Sequence, residues 1–310
     1  MQRFLLALTV SAAVGLAGCE FEDWGNSDRF KEDFNYSYAM KPGGRLFLES
    51  FNGSIEIRGW DKDSIEITGT KYAATEDLLK QLKIDVNAAP DSVRVRAIRP
   101  MDRRGNCGAK FIVRMPKNAI LDRVESSNGS IRAENFVGPV RLKTSNGSIN
   151  VWEVTGDLDA DTSNSAIEVG HFQGAANLRT SNGRIKADGV RGAFEGHTSN
   201  GTIDVTIAEL DTGKPLRLTS SNSSINATLE KWNQNDIYAD TSNGSINLRL
   251  PEGVAAKLKA DTSNGTVSSD FEVTITSKGK THIEGSIGSG GPNITLDTSN
   301  GNIRLMKRSS

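Results

Sequence analysis

The sequence predicts an all-β chain wound into a single parallel β-solenoid, and three observations predict it. A tetrad Thr-Ser-Asn-Gly, or a close variant, recurs with its asparagine at Asn128, Asn146, Asn164, Asn182 and Asn200, a spacing of 18 residues four times in succession. Between tetrads the apolar residues alternate, as in Val140, Leu142, Thr144 and then Ile149, Val151, Val154, the period-two signature of extended strand. A second glycine, at Gly138, Gly156, Gly174 and Gly192, marks another corner with the same spacing. A short fixed period means stacked supersecondary units, because a unit this small cannot bury its own apolar face.

The chain opens MQRFLLALTVSAAVGLAGCE, with one charge at Arg3 and an apolar, small-residue run to Gly18. That is too short for a spanning helix and reads as a secretory signal over residues 1–18. Leu16-Ala17-Gly18-Cys19 is similar to the bacterial lipobox, which implies cleavage before Cys19 and a lipid anchor on its thiol. The expected location is therefore the bacterial envelope, periplasmic or cell-surface, with the outer membrane favoured. Residues 20–33 carry six acids and two bases without periodicity, and together with Cys19 are expected to form an acidic tether.

The whole chain carries 37 Lys+Arg against 38 Asp+Glu; losing Arg3 with the signal leaves 36 against 38, a net charge of −2. So balanced a chain has no global field to recruit nucleic acid. With Cys19 acylated, Cys107 is the one remaining thiol and has no intramolecular partner. A sheltered hydrophobe is the expectation for it.

Residues 34–120 read as an irregular β-rich cap with the first coils. RLFLESFNGSIEI, Arg45 to Ile57, resembles a coil, and a short strand follows over Ile65–Thr68. Thr75-Glu76-Asp77 before Leu78, Leu79 and Leu82 has a capping residue, acids in the first turn and an apolar stripe, so a short helix is expected there. Strands Val93–Ile98 and Phe111–Met115 flank the loop RPMDRRGNCGAK, where Arg99, Arg103 and Arg104 belong to the one local basic cluster, a candidate contact for lipid headgroups or an acidic polymer.

Residues 121–310 are the regular solenoid. After Asn200 the repeat loosens to Asn222, Asn243 and Asn264, at 22, 21 and 21 residues, and then to Asn300, leaving room for a degenerate copy at Glu284–Ile287. About ten coils of 18–22 residues result, expected to be right-handed by the rule for parallel crossovers. Stacking would bring Asn128, Asn146, Asn164, Asn182, Asn200, Asn222, Asn243, Asn264 and Asn300 into one corner ladder joined by side-chain amides. The same reading has Asn and Gly supplying left-handed backbone at a sharp bend. An antiparallel sandwich with Asn-Gly hairpins is the competing fold, but it leaves the constant unit length unexplained.

Stacking also makes outward columns. Glu125, Lys143, Asp161, Arg179 and His197 form one and Arg132, Asn150, Glu168, Lys186 and Asp204 another, with signs that largely alternate. Farther on the first column becomes Asp240, Asp261 and Asp297, with Thr281 placed between the last two, a weak candidate site for a hard cation. Trp152 and Trp232 are candidate sugar-stacking residues, with packing against neighbours as the plainer reading.

No catalytic residue and no cofactor are assigned. His171, His197 and His282 stand in different coils without metal-ligand spacing, and no phosphate loop or nucleophile elbow occurs. With its NGSIEIRGWD segment at Asn52–Asp61, Arg-Met-Pro at Arg114–Pro116 and GSIGSGGPNITLDTSNGNIRL from Gly285, the chain resembles a bacterial adhesin-type family, domain of unknown function 4097, over about Leu46 to Leu305. The resemblance implies an envelope location and no enzymology. The expectation is a non-enzymatic, lipid-anchored rod that binds an envelope polysaccharide or protein. The alternative is a β-helix carbohydrate-active enzyme, a polysaccharide lyase or glycoside hydrolase.

Overall fold

A computed structural model describes residues 29–101 and 105–308. The signal, Cys19, Arg103 and Arg104 lie outside the described residues. Each regular coil is two strands and two corners. Val140–Thr144 lies in one sheet, the tetrad bend follows, Ile149–Thr155 lies in a second sheet, and the corner at Gly156 leads to Leu158–Thr162 back in the first. Neighbouring coils pair in parallel with like position over like, Val140 on Leu158 and Ile149 on Ile167. The result is two facing sheets of 14 and 13 strands.

Alternation writes the core directly. Val140–Thr144 buries its first, third and fifth residues and exposes the others. Across the bend the inward set resumes at isoleucine, so Ile131, Ile149, Ile167, Ile185, Ile203 and Ile225 form a file with no solvent exposure. Each such side chain contributes about 1.5–3 kcal/mol of burial.

Stacking follows sequence order from Ile120 to Leu250, but not at the ends, which corrects the expected order. The coil of Arg45–Glu49 and Ile55–Trp60 is not terminal: it lies between the coil starting at Ile120 and the later one formed by Ser92–Ile98 and Cys107–Pro116. At the other end, Asn293–Thr298 and Ile303–Lys307 are inserted between the coil of Ile237–Thr241 and Ile246–Leu250 and that of Ala256–Thr262 and Val267–Ser269. The supposed degenerate copy at 284–287 is no coil. It belongs to His282–Ile287, which runs antiparallel to Ala256–Thr262 and lets the chain turn back so that its last coil enters the stack.

Antiparallel strands finish both edges of the 14-stranded sheet and one edge of the 13-stranded sheet, whose other edge is the parallel strand Val267–Ser269. Phe30–Ala39 pairs with Ser64–Ala73, and Lys83–Ala89 with Ser92–Ile98. Val273–Lys278 pairs with His282–Ile287 at the far end. Ends of this kind interrupt the parallel register that another rod would need to add on. The short helix is Glu76–Gln81, where Thr75 accepts a hydrogen bond from the Leu78 N–H at 3.3 Å. Its Leu78 and Leu79 pack with Ala73 and Cys107 in a small second core. Burial pushes the Cys107 thiol pKa up.

Candidate functional site

Two corner edges and two outer sheet faces run the length of the rod. The tetrad edge is a chain of amides. Asn146 donates its side-chain N–H to the Asn128 side-chain oxygen at 2.7 Å, Asn164 to Asn146 at 2.7 Å, and Asn182 to Asn164 at 2.8 Å. Asn200, Asn222 and Asn243 continue it. Beyond Asn243 comes Asn300 and then Asn264. At the other end Asn128 donates to Asn52, which donates to the Cys107 carbonyl at 2.8 Å. Every rung donates in the same direction, so the amide dipoles align along the rod.

Beneath this edge lies a file of hydroxyls. Thr198, fully buried, donates to the Gly183 carbonyl at 3.0 Å and accepts from the Gly201 N–H at 3.1 Å. Thr144 and Thr180 bridge neighbouring coils in the same way. The bend glycine has a different reason from the one expected. Among the described bend glycines Gly53 alone has a left-handed φ, +101°. At Gly147, Gly183 and Gly201 the cause is closeness: an added Cβ would lie 1.7–2.0 Å from a carbonyl oxygen of the coil beneath.

Left-handed backbone belongs instead to the second corner and its approach. Gly156, Gly174 and Gly192 have φ of +136°, +139° and +121° and stack backbone on backbone. Four residues at the 18-residue spacing kink the strands before that corner: Asn135, Glu153 and His171, with φ of 62°, 55° and 51°, and Gly189 at 66°. This column went unnoticed in the sequence because its residue types differ.

The bare glycine edge floors a groove of about 550 Å³. Thr155, Gln173, Arg191 and Glu209 line it, and Asp211, Thr212 and Asn233, from the longer connections near its end, close it. Asn233 donates to the Leu210 carbonyl at 2.9 Å, holding the two connections together. Glu209 lies 2.9 Å from Lys231 and 3.3 Å from Arg191. The hydrogen bond from Lys231 is the main cause holding its carboxyl below the usual range. It is an ionised acceptor at neutral pH and a poor general acid.

Trp152 is half-buried, its ring laid over Gly170, where an added Cβ would meet it at 1.9 Å, and 6.3 Å from the His171 ring. Trp232 packs partly against the core, with its indole N–H buried and unpartnered. Both side chains are half-buried. Arg99 stacks at 5.4 Å over Phe51.

The carboxylates of the candidate cation site share one file in the order Asp240, Asp297, Asp261, so Asp297 takes the place beside Asp240 expected for Asp261, and on the far side of Asp261 stands His282, with Thr281 nowhere between the carboxylates. Burial, then the neighbouring Asp297 carboxylate, raises the Asp240 pKa. Among the described residues no group of three His, Cys, Asp or Glu side chains is gathered closely enough to hold a metal ion.

Fold and edges define a two-sheeted parallel β-solenoid. The chain belongs to the Toastrack DUF4097 family, whose model matches residues 44–306. No curated protein matches it in sequence. Among solved structures it is similar to a candidate cell adhesion protein from Clostridium sporogenes, at 12% identity and TM-score 0.23, covering 89% of this chain and 100% of that one. A candidate adhesin from Bacteroides fragilis matches at 11% identity and TM-score 0.30, over 89% and 97% of the two chains. A candidate lipid binding protein from Parabacteroides distasonis matches at 11% and 0.30, over 90% and 97%.

Proposed function

We propose that this protein is a lipid-anchored, non-enzymatic scaffold of the bacterial envelope, a rod whose long faces and edges bind a polysaccharide or protein partner. The observation that carries the reading is the register. Because position stacks on position for most of the length, outward side chains recur at the strand spacing of about 4.8 Å, which suits an extended, periodic ligand. The glycine-floored groove, which spans four successive coils and is lined by Thr155, Gln173, Arg191 and Glu209, is its favoured contact. The Leu16–Cys19 lipobox supports an anchor, and no described helix is long and apolar enough to cross a membrane.

One observation favours the enzyme alternative: Asp240, with its raised pKa, stands beside Asp297 and Tyr238. They lie on an outer sheet face, whereas glycosidic cleavage needs carboxylates flanking a bound sugar ring. The test combines fractionation and binding. The full chain should partition with membranes, and its Cys19→Ala form should become soluble. The purified chain should retain an envelope glycan or protein, weakened by Arg191→Ala, and release no reducing ends. Release that is abolished by Asp240→Asn would replace this reading with the enzymatic one.

A further inference from the structure

We propose that the bond between Asn264 and Gly265 is where the folded rod is covalently modified, by deamidation through a succinimide. The chain holds eight Asn-Gly bonds. Asparagine is thermolabile, and a following glycine puts no side chain in the way of ring closure. In that reaction the glycine amide nitrogen gives its proton to solvent and attacks the asparagine side-chain carbonyl carbon. Ammonia leaves, and water opens the ring at either carbonyl to give aspartate or isoaspartate. The two reacting groups, the side-chain amide and the glycine N–H, are those that the tetrad edge holds in hydrogen bonds.

That hold is uneven along the rod. In the earlier coils the glycine N–H donates to the hydroxyl three residues before it: Gly129 to Ser126 at 2.9 Å, Gly147 to Thr144 at 3.3 Å, Gly183 to Thr180 and Gly201 to Thr198, both at 3.1 Å. In the later coils Thr241, Thr298 and Thr262 still donate to a carbonyl of the neighbouring coil, but among the described residues Gly244, Gly301 and Gly265 donate no bond in return. Burial divides the bends at the same place, the first four glycines being buried and the last three half-buried. The ladder then singles out one rung. Asn243 and Asn300 each donate one ladder bond and accept another, whereas Asn264 donates to Asn300 at 2.9 Å and accepts none. At the opposite end Asn52 is held on both sides, by Asn128 and by the Cys107 carbonyl.

The reaction needs the bend to open, and an outermost coil opens at least cost. Asn264 joins Ala256–Thr262 to Val267–Ser269, the three-residue edge strand of the 13-stranded sheet, which pairs there with Ile303–Lys307 alone. The product moves the weak point inward. A carboxylate at 264 has no N–H to donate and sets an oxygen against the Asn300 side-chain oxygen. Asn300 becomes the last rung, with the Gly301 N–H equally unheld. Modification therefore advances to Asn300 and then Asn243, and halts at Asn222, which serine follows.

The test holds the full, folded chain in mildly basic buffer for several weeks and reads each bond by peptide mass spectrometry, with electron-driven fragmentation to separate aspartate from isoaspartate. Each rate is divided by that of the same site in the chain unfolded with guanidinium, which cancels the effect of local sequence. The expected ratio is highest at Asn264, next at Asn300, and about 25-fold lower at Asn182 than at Asn264, a factor of about five for each of the two hydrogen bonds that Asn182 and Gly183 have in addition. Asn264→Ala should raise the Asn300 ratio about fivefold and leave Asn146 and Asn182 unchanged. Equal ratios at all eight bonds, or an Asn300 ratio that Asn264→Ala does not move, overturn the proposal. Aspartate at 264 without isoaspartate overturns it as well, because direct hydrolysis of the amide forms aspartate alone.

Discussion

Asn128 donates its side-chain amide to Asn52, a residue 76 positions earlier in the chain, at 2.6 Å. That contact places the first coil inside the stack, with a later coil outside it. The matching insertion of Asn300 between Asn243 and Asn264 does the same at the other end. The first and last coils are thus interior to the stack, and the 14-stranded sheet finishes in antiparallel strands at both edges, the 13-stranded one at the edge of Phe30–Ala39.

The ladder should contribute measurably even though it is exposed. Asn164 donates to Asn146 and accepts from Asn182, whereas Asn264 makes the single donation to Asn300. Asn164→Ala should therefore destabilise by about 1–2 kcal/mol and Asn264→Ala by roughly half that, read as shifts in the denaturant midpoint.

The hydroxyl file should matter more, because it is buried. Thr198→Val keeps the shape but leaves the Gly183 carbonyl and the Gly201 N–H without their partner. A loss of about 2–4 kcal/mol is expected, and Thr198→Ser should recover most of it. Serine already fills the equivalent position at Ser220, where it donates to the Gly201 carbonyl at 3.2 Å.

The kink column offers a stabilising change. Glu153 is exposed and left-handed, at a position equivalent to Gly189. Relieving the left-handed cost, about 1–2 kcal/mol, against the added chain entropy of glycine, about 0.5–1 kcal/mol, leaves Glu153→Gly slightly more stable. Thermal unfolding should show a higher Tm.

Asp240 gives a pH dependence with a definite sign. Its folded pKa is raised, by burial first and the Asp297 charge second, so the folded state binds this proton more tightly than the unfolded chain does. The stability it contributes is present below the ordinary aspartate range and is lost as pH rises through the raised value. Asp240→Asn should thus be more stable than the parent at neutral pH, and the difference should disappear in acid. Denaturant titrations at several pH values check this.

The repeat itself was legible because an 18-residue period, alternating polarity and small bend residues all report on one strand's immediate surroundings. The helix at 76–81 was legible for the same reason, through Thr75 and the leucine stripe. The order of the end coils was not. Asn264 and Asn300 have the same local sequence whether they touch or not, and what separates their coils is an antiparallel excursion whose strand resembles a degraded repeat. The bend glycines show a related limit. Asn-Gly suggests left-handed backbone, yet here the glycine answers to a carbonyl in the next coil, which no single repeat reveals. The groove depends on bare corners meeting two longer connections, so its lining residues share no motif.

Cysteine pairing across the ladder tests the interleaved stack most directly. Adjacent rungs lie about 4.8 Å apart, within disulfide reach, whereas rungs two steps apart lie near 10 Å, beyond it. The account predicts that Asn243→Cys with Asn300→Cys oxidises to an intramolecular disulfide in the folded chain, mapped by peptide mass spectrometry, and that Asn243→Cys with Asn264→Cys does not. A disulfide between positions 243 and 264, with none between 243 and 300, would mean that the coils stack in sequence order and would contradict it.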